Sequence, residues 1–331
     1  MPKILSLMPP IYFQDPATLA TLEAFKDDLA FCTDYRPASI IAAARKAICL
    51  LCPAPYPRIT AEIISALPQL KLIQTAGAGY NEIDLEAAAR AGVPVCNAPG
   101  LNATAVAELV FAAVINLQRG LAHADRQIKQ GRYQAVREKL LASGMSEVGG
   151  SRWGIIGLGQ VGTAVARLGK TLGAVVGYFN RTRKPEIEAE LGIDYQDWER
   201  LLAASDVVVV CLALTAETRK LIGAREMRLM KPGALLVNVG RGGVVDEEAL
   251  AAALLSGELG GAALDTFATE PLPANHPLLT LPEEVQERLF LTPHLGGVTT
   301  QALNRMLNFA LANCTRVLKG ERPLAVVNGV E

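Results

Sequence analysis

The chain has 331 residues, half of them hydrophobic and 20% charged, with a formal net charge of -1. This composition supports a sizeable core and excludes a disordered polyelectrolyte, and the length suits two domains better than one. Near-neutral charge without a Lys/Arg block speaks against nucleic acid as the principal partner, and no apolar run reaches membrane-spanning length. The first eight residues are apolar but too short for a secretory signal, and Pro9-Pro10 interrupts them, so a cytoplasmic location is expected.

The first hundred residues alternate short apolar runs with helical patterns. Strands are predicted over 4–8, 47–52, 70–75 and 93–96, and helices over 16–29, 60–66 and 84–91. Cys49 and Cys52 have the spacing of a redox motif, but residues three apart in a strand face opposite ways. They read as buried small hydrophobes, as do the other four cysteines. From Asn102 the character changes. Residues 103–131 form a long alanine-rich helical pattern with Asn102 or Thr104 as candidate N-cap, and 133–150 reads as loop. A second alternating series follows, with strands over 153–156, 174–179, 206–212, 235–239, 261–264 and 289–292, and a last helix over 299–318. The alternation implies two α/β units, each a parallel sheet with helices on both faces.

The second series opens on a strand, Gly154 to Ile156, then Gly157-Leu158-Gly159-Gln160-Val161-Gly162, then a helical pattern over 163–172. A G-x-G-x-x-G turn in that context marks a dinucleotide site, where an isolated glycine triplet would not. Gly157 would allow the tight turn, Gly159 the approach of backbone to a pyrophosphate, and Gly162 the packing of helix on strand. The helix start at Gln160 and Val161 would offer free N–H groups to the phosphates. An NAD site usually ends its next strand in an acid that accepts from the ribose hydroxyl. Here that strand ends in Asn180-Arg181-Thr182-Arg183-Lys184. Arg181 can pair with a 2′-phosphate and Thr182 can add a hydroxyl, so NADP is preferred over NAD; the plain alternative is a solvated basic loop.

Three histidines are present. His123 falls in the long helix, at a surface or a subunit contact, and His276 is a lone loop histidine among prolines. His294 ends the last strand of the dinucleotide unit, where carboxyl ends of strands face the ligand crevice. It suits a general acid/base, or serves as a structural loop residue. Arg241 follows another strand among glycines and can hold a carboxylate and polarise a carbonyl, or meet solvent. Asp265 ends the strand between them and is placed to contact a nicotinamide amide. Glu270, just beyond, can orient His294 and favour its charged form. Singly each is weak; three neighbouring strand ends carrying Arg, Glu and His form a constellation.

These residues bring out a resemblance. Gly77 to Asp84 (GAGYNEID), Val106-Ala107-Glu108, the glycine turn, Leu235 to Glu247 (LLVNVGRGGVVDE), Asp265 to Pro271 and Thr292 to Gly297 resemble the D-isomer-specific 2-hydroxyacid dehydrogenases. The likeness is to the glyoxylate/hydroxypyruvate reductase kind. It implies catalytic Arg241, Glu270 and His294, and a substrate-carboxylate loop at Ala78 and Gly79 whose N–H groups would complement Arg241. It further implies cofactor contacts at Thr104, Leu212, Thr218, Val239, Gly240, Asp265, His294, Gly296 and Gly297. The implied architecture is discontinuous: a flavodoxin-like substrate domain of 1–101 and 295–331, with a Rossmann-type dinucleotide domain, 102–294, inserted. Family members close a cleft over substrate and dimerise through the cofactor domain, so the long helix and the loop beyond it would contribute to a homodimer. The implied reaction is NADPH-dependent reduction of a small 2-oxo acid, glyoxylate or hydroxypyruvate first, to the D-hydroxy acid. No metal is implied. Asn81 and Ala213 replace an Asp and a Pro common in the family, which implies altered packing near the adenine side. Tyr80, the 53–58 loop and the Asn102 region would shape the substrate pocket. The alternative is a nucleotide-sensing, corepressor-like binding protein of the same fold without turnover.

Overall fold

A computed structural model of the chain describes residues 2–13, 15–53 and 57–330. It divides into two units, 1–102 with 297–331, and 103–296, so the second is inserted in the first. Residues 54–56 of the 53–58 loop expected at the pocket lie outside the described residues.

In the first unit the strands are β1 (Ile4–Ser6), β2 (Leu29–Phe31), β3 (Cys49–Cys52), β4 (Leu72–Thr75) and β5 (Val95–Cys96). They are parallel, in the order β2-β1-β3-β4-β5, the flavodoxin-like winding. β3 is buried throughout, and its side chains alternate between two cores. Leu50 and Cys52 join Ile40, Ile63 and Ile73, whereas Cys49 and Leu51 join Ile4 and Leu72. The Cys49–Cys52 spacing therefore spans the sheet, and all six cysteines are free thiols. The helix Thr300–Leu318 returns to this unit because Leu307, Leu311 and Cys314 complete the second of those cores. Thr299 caps it, accepting from Ala302 N–H at 3.3 Å. Buried Asn313 donates to Gln74 Oε1 and to the Leu324 carbonyl, tying the tail to the sheet.

The helix predicted over 16–29 ends at Glu23, and Leu29 to Phe31 pair with Ile4 to Ser6 as β2. A helix not predicted occupies Pro37–Ala44. The pairing partner of β2 lies more than twenty residues upstream, beyond any local periodicity.

The second unit holds β6 (Arg152–Ile156), β7 (Val175–Phe179), β8 (Asp194–Tyr195), β9 (Val207–Val210), β10 (Leu235–Asn238), β11 (Gly261–Leu264) and β12 (Leu289–Leu291). The strands are parallel in the order β12-β11-β10-β9-β6-β7-β8. β9 is four consecutive valines because both faces are covered. Val208 and Val210 pack with Leu202, Leu250 and Leu254, and Val207 and Val209 with Val106, Val110 and Val165. The winding reverses between β6 and β9, which is where such sheets open a crevice at their carboxyl edge.

The long helical pattern after Asn102 forms two helices, Ala103–Arg119 and Leu121–Lys129, bent 62° at Gly120. Gly120 takes a left-handed conformation (φ 60°, ψ 36°). No single described helix is long and apolar enough to cross a membrane. Residues 133–143, expected as loop, are helical; of this segment only Val136 is buried, so no apolar stripe announced it. His123 also departs from expectation: it is 7% exposed, 3.3 Å from Glu287, which Lys139 also contacts. Burial lowers its pKa, and the nearby Glu287 charge offsets part of that.

Candidate active site

Reading the carboxyl edge of the second sheet in spatial order gives the site. The loops after β12, β11 and β10 carry His294, Asp265 with Glu270, and Arg241; those after β9, β6 and β7 carry Leu212, the glycine turn and Asn180.

At the glycine turn each glycine has a separate reason. Gly157 sits at φ +98°, and a Cβ there would lie 2.8 Å from Leu212 Cδ2. Gly162 is the contact between helix and turn: a Cβ would fall 2.0 Å from the Gly157 carbonyl oxygen. Gly159 has nothing within 4 Å of its Cβ position, and it caps the helix Gln160–Thr171. Exposed Gln160 and half-buried Val161 start that helix, whose first internal bond is Thr163 N–H to the Gly159 carbonyl. The N–H groups of Gln160 and Val161 precede that bond and have no partner within the helix; beside the open Gly159 position they form a cradle that fits a diphosphate. Asn180 binds the next strand to this turn: its Oδ1 accepts from Leu158 N–H at 3.2 Å and its Nδ2 donates to the Thr182 carbonyl at 2.7 Å. Arg183 is committed elsewhere, with its guanidinium on Glu188 at 2.6 to 3.1 Å. Arg181 and Thr182 stay exposed, and the Arg181 charge reaches Glu217. Thr218 closes its own turn, donating to the Ala213 carbonyl and accepting from Thr215 N–H. Gly240, behind buried Val239, packs backbone to backbone on Leu212, where a Cβ would meet the carbonyl oxygen at 2.4 Å.

The structure brings Arg241, Glu270 and His294 together. His294 Nδ1 lies 2.9 Å from Glu270 Oε2, and Glu270 Oε1 accepts from Phe267 N–H at 2.9 Å. Burial pushes the Glu270 carboxyl up, but those hydrogen bonds and the His294 and Arg241 charges outweigh it, leaving it below the ordinary carboxylate range. Glu270 is therefore an ionised acceptor, which fixes the proton of His294 on Nδ1 and leaves Nε2 turned from it. His294 itself adopts φ 55°, with its N–H on the Asp265 and Thr292 carbonyls. Asp265, 4% exposed, accepts from Thr292 Oγ1 and from the N–H groups of Leu295 and Gly296. Its carboxylate thus builds the His294 turn and keeps one lone-pair site over. The Arg241 loop is held by buried Asn238, which donates to the Arg241 carbonyl and accepts from Gly240 N–H. Arg241 Nη1 donates to the Gly240 carbonyl.

Sequence reasoning missed Asn238 and Thr292 as supports, although a polar residue closing the apolar strand Leu235–Asn238 was a signal. It also took His276 for a lone residue. Its Nε2 lies 2.8 Å from buried Glu247, 29 positions upstream, a pairing that no local pattern carries. Thr104 is exposed in the first turn of its helix.

Within the first unit, the Ala78-Gly79 loop has its carbonyls anchored. Ala98 N–H donates to the Gly77 carbonyl and Asn97 Nδ2 to the Ala78 carbonyl, both at 2.9 Å. Across a trans peptide, this turns the N–H groups of Ala78 and Gly79 the other way, as an anion cradle needs. Asn102 packs on Gly297, whose Cβ would meet Asn102 Nδ2 at 2.3 Å.

A family model for the NAD binding domain of D-isomer specific 2-hydroxyacid dehydrogenases matches residues 111–296. Over 274 residues the chain is 38% identical to a glyoxylate reductase of Aeropyrum pernix, spanning 82% of this chain and 80% of that one. An NADPH-dependent glyoxylate/hydroxypyruvate reductase of Sinorhizobium meliloti, solved with NADP and malonate, has a TM-score of 0.82 at 28% identity. That match covers 99% of this chain and 97% of the other. The holo form of D-mandelate dehydrogenase from Rhodotorula graminis reaches a TM-score of 0.86 at 27% identity, covering 100% and 99%. A family model over more than half the chain, with likeness along nearly all of it, leaves one assignment: the chain belongs to the D-isomer-specific 2-hydroxyacid dehydrogenases, 2-oxo acid oxidoreductases with an NAD(P)-binding Rossmann domain.

Proposed function

We propose that this protein reduces a small 2-oxo acid, glyoxylate or hydroxypyruvate first, to the D-hydroxy acid, with NADPH preferred over NADH. The observation that carries the reading is the His294–Glu270 pair at 2.9 Å beside the Arg241 charge, on adjacent strand ends of one sheet. Residues 102–294 form the dinucleotide domain, and 1–101 with 295–331 the substrate domain. A nicotinamide dinucleotide, held at the Gly157–Gly162 turn, Asn180 to Thr182, Leu212, Thr218, Val239 and Gly240, supplies the hydride. Asp265, Gly296, Gly297 and Thr104 complete its contacts. Arg241 and the Ala78 and Gly79 amides hold the substrate carboxylate and fix one carbonyl face. Arg241 stabilises the negative charge that develops on the carbonyl oxygen. His294 Nε2 delivers the proton to that oxygen while Glu270 keeps the ring oriented.

The NADP preference is supported by an exposed Arg181 and by the absence of a carboxylate at 180–182. The relatives' names support glyoxylate, and the NADPH-dependent neighbour supports the cofactor and hydroxypyruvate. We propose a cytoplasmic homodimer joined through the cofactor domain. The two helices Leu121–Lys129 and Tyr133–Ser143 support this, with Leu121, Ile128, Tyr133 and Leu141 about half exposed or more. The binding-only, corepressor-like alternative has no observation in its favour. Initial rates of NADPH and NADH oxidation across a panel of 2-oxo acids test the reading. The expected outcome is turnover of glyoxylate or hydroxypyruvate with NADPH, reduced about 10²- to 10⁴-fold in His294→Ala. NADPH binding without oxidation by any 2-oxo acid overturns it.

A further inference from the structure

Besides His294–Glu270 and His123–Glu287, a third His–Glu pair lies in the same unit, outside the trio. Glu247 begins the helix Glu247–Ser256, yet its side chain is 7% exposed. Its Oε2 faces His276 Nε2 at 2.8 Å, and its Oε1 accepts from Ala268 N–H at 2.7 Å. His276 Nδ1 accepts from Leu278 N–H at 3.3 Å, so the ring proton sits on Nε2 and points at Glu247. The two groups are thus a neutral imidazole donating to a carboxylate. A buried carboxylate is expensive unless its hydrogen bonds are complete. A neutral cap alone would serve Leu278, so the buried carboxylate with its two accepted hydrogen bonds needs a reason.

The reason is the peptide between Phe267 and Ala268. Its N–H is the one Glu247 holds. The same peptide lies against Gly242, the neighbour of Arg241: a Cβ on Gly242 would fall 1.8 Å from Phe267 C and 2.4 Å from Ala268 N. One residue earlier, Phe267 N–H is held by Glu270 Oε1, while Oε2 of that carboxylate orients His294. The His276 ring also meets Phe267 edge-on, with centroids 6.5 Å apart. The two consecutive peptides that meet at Phe267 are therefore the common reference, Phe267–Ala268 for the Arg241 loop and Thr266–Phe267 for Glu270.

We propose that the Glu247–His276 pair is a positioning device which, by gripping the Phe267–Ala268 peptide, sets Glu270 and Arg241 for proton delivery and carboxylate binding. Glu247 and His276 are positioning residues that touch no substrate, and the inference rests on the catalytic reading of Glu270 and Arg241. A displacement of about 1 Å in such a constellation lowers turnover about 100-fold.

The test compares wild type with Glu247→Ala, Glu247→Gln, His276→Asn and the Glu247→Ala/His276→Asn double variant, all as full chains. Asn at 276 still accepts from Leu278 N–H but is too short to reach Glu247, which separates capping from pairing. Expected are a fall in kcat of about 10- to 100-fold for Glu247→Ala and a smaller fall for His276→Asn. The double variant should be no worse than Glu247→Ala, because the two act as a unit. Glu247→Gln keeps an acceptor for Ala268 N–H but turns its amide NH2 onto the His276 Nε2–H. Its rate should therefore fall between those of wild type and Glu247→Ala, and NADPH affinity should hold in all four. Amide hydrogen exchange provides a readout free of turnover: Glu247→Ala should lose protection at Phe267, a bond that Glu247 does not make. Should Glu247→Ala not fold, His276→Asn carries the same two measurements. A wild type inactive on every 2-oxo acid would sink the catalytic reading alone and leave the positioning claim to the amides. Unchanged kcat together with unchanged Phe267 protection in the folded variants overturns the proposal.

Discussion

Gly162 and Arg181 both stand at the nucleotide edge, one by lacking a side chain and the other by the charge it carries. An alanine at 162 would set its Cβ 2.0 Å from the Gly157 carbonyl oxygen, a backbone atom that cannot rotate away. Gly162→Ala is expected to force the helix off the strand, at about 1–3 kcal/mol or more. A lower midpoint in denaturant and weaker NADPH binding by fluorescence titration would check it. Arg181 is a question of selectivity. Removing a charged hydrogen bond costs about 1.5–3 kcal/mol, so Arg181→Ala is expected to lower the NADPH-over-NADH ratio of kcat/KM about 10- to 100-fold while leaving NADH rates near their starting value. An unchanged ratio would show that the 2′-phosphate is bound elsewhere. The glycine roles were legible in the sequence because strand, turn and helix are contiguous there. Which of two arginines is free was not, since the Arg183–Glu188 pairing depends on how the segment folds back.

That fold-back is an element in its own right. Between β7 and the helix Pro185–Leu191, Glu188 accepts from Arg183 and from the Tyr178 hydroxyl, and Tyr178 accepts from Lys184 N–H. The Arg183 and Tyr178 hydrogen bonds hold the Glu188 carboxyl at about 2, against an ordinary value of 4.5. A carboxyl depressed on folding stabilises the protein above its unfolded value and loses that contribution as pH falls through its folded one. The stability difference between wild type and Glu188→Gln is therefore expected to be full above about pH 5 and to vanish towards pH 2. Denaturant midpoints measured across that range check the sign, and a difference that grows in acid would refute it. Other elements were less legible. The 133–143 helix is built from good helix formers, but it lacks the apolar stripe that announces a helix. The break at Gly120 required a left-handed residue that a run of alanines and leucines disguised.

At the scale of the whole molecule, the inserted unit leaves Tyr133 and Leu141 exposed on the helix Tyr133–Ser143. If this helix joins two copies, a charge there must be buried or excluded. Tyr133→Asp with Leu141→Asp is expected to convert a dimer to monomers in light scattering after size exclusion, while each monomer keeps its helical circular dichroism. A wild-type monomer at micromolar concentration, or a double variant that stays dimeric, would remove this face as the interface.

The chain order of apolar runs and glycines by itself determined that two parallel α/β sheets form, that the second opens on a nucleotide turn, and which strand ends bear Arg, Glu and His. Those are local patterns, repeated along the chain with the period of the strand and the helix. Only the tertiary structure decided which distant groups meet: His294 with Glu270, Asp265 with the turn at Leu295 and Gly296, Glu247 with His276 and Ala268. Such hydrogen bonds link loops and helix starts 20 or more residues apart, and their partners are brought together by sheet order and register, which no window of sequence contains.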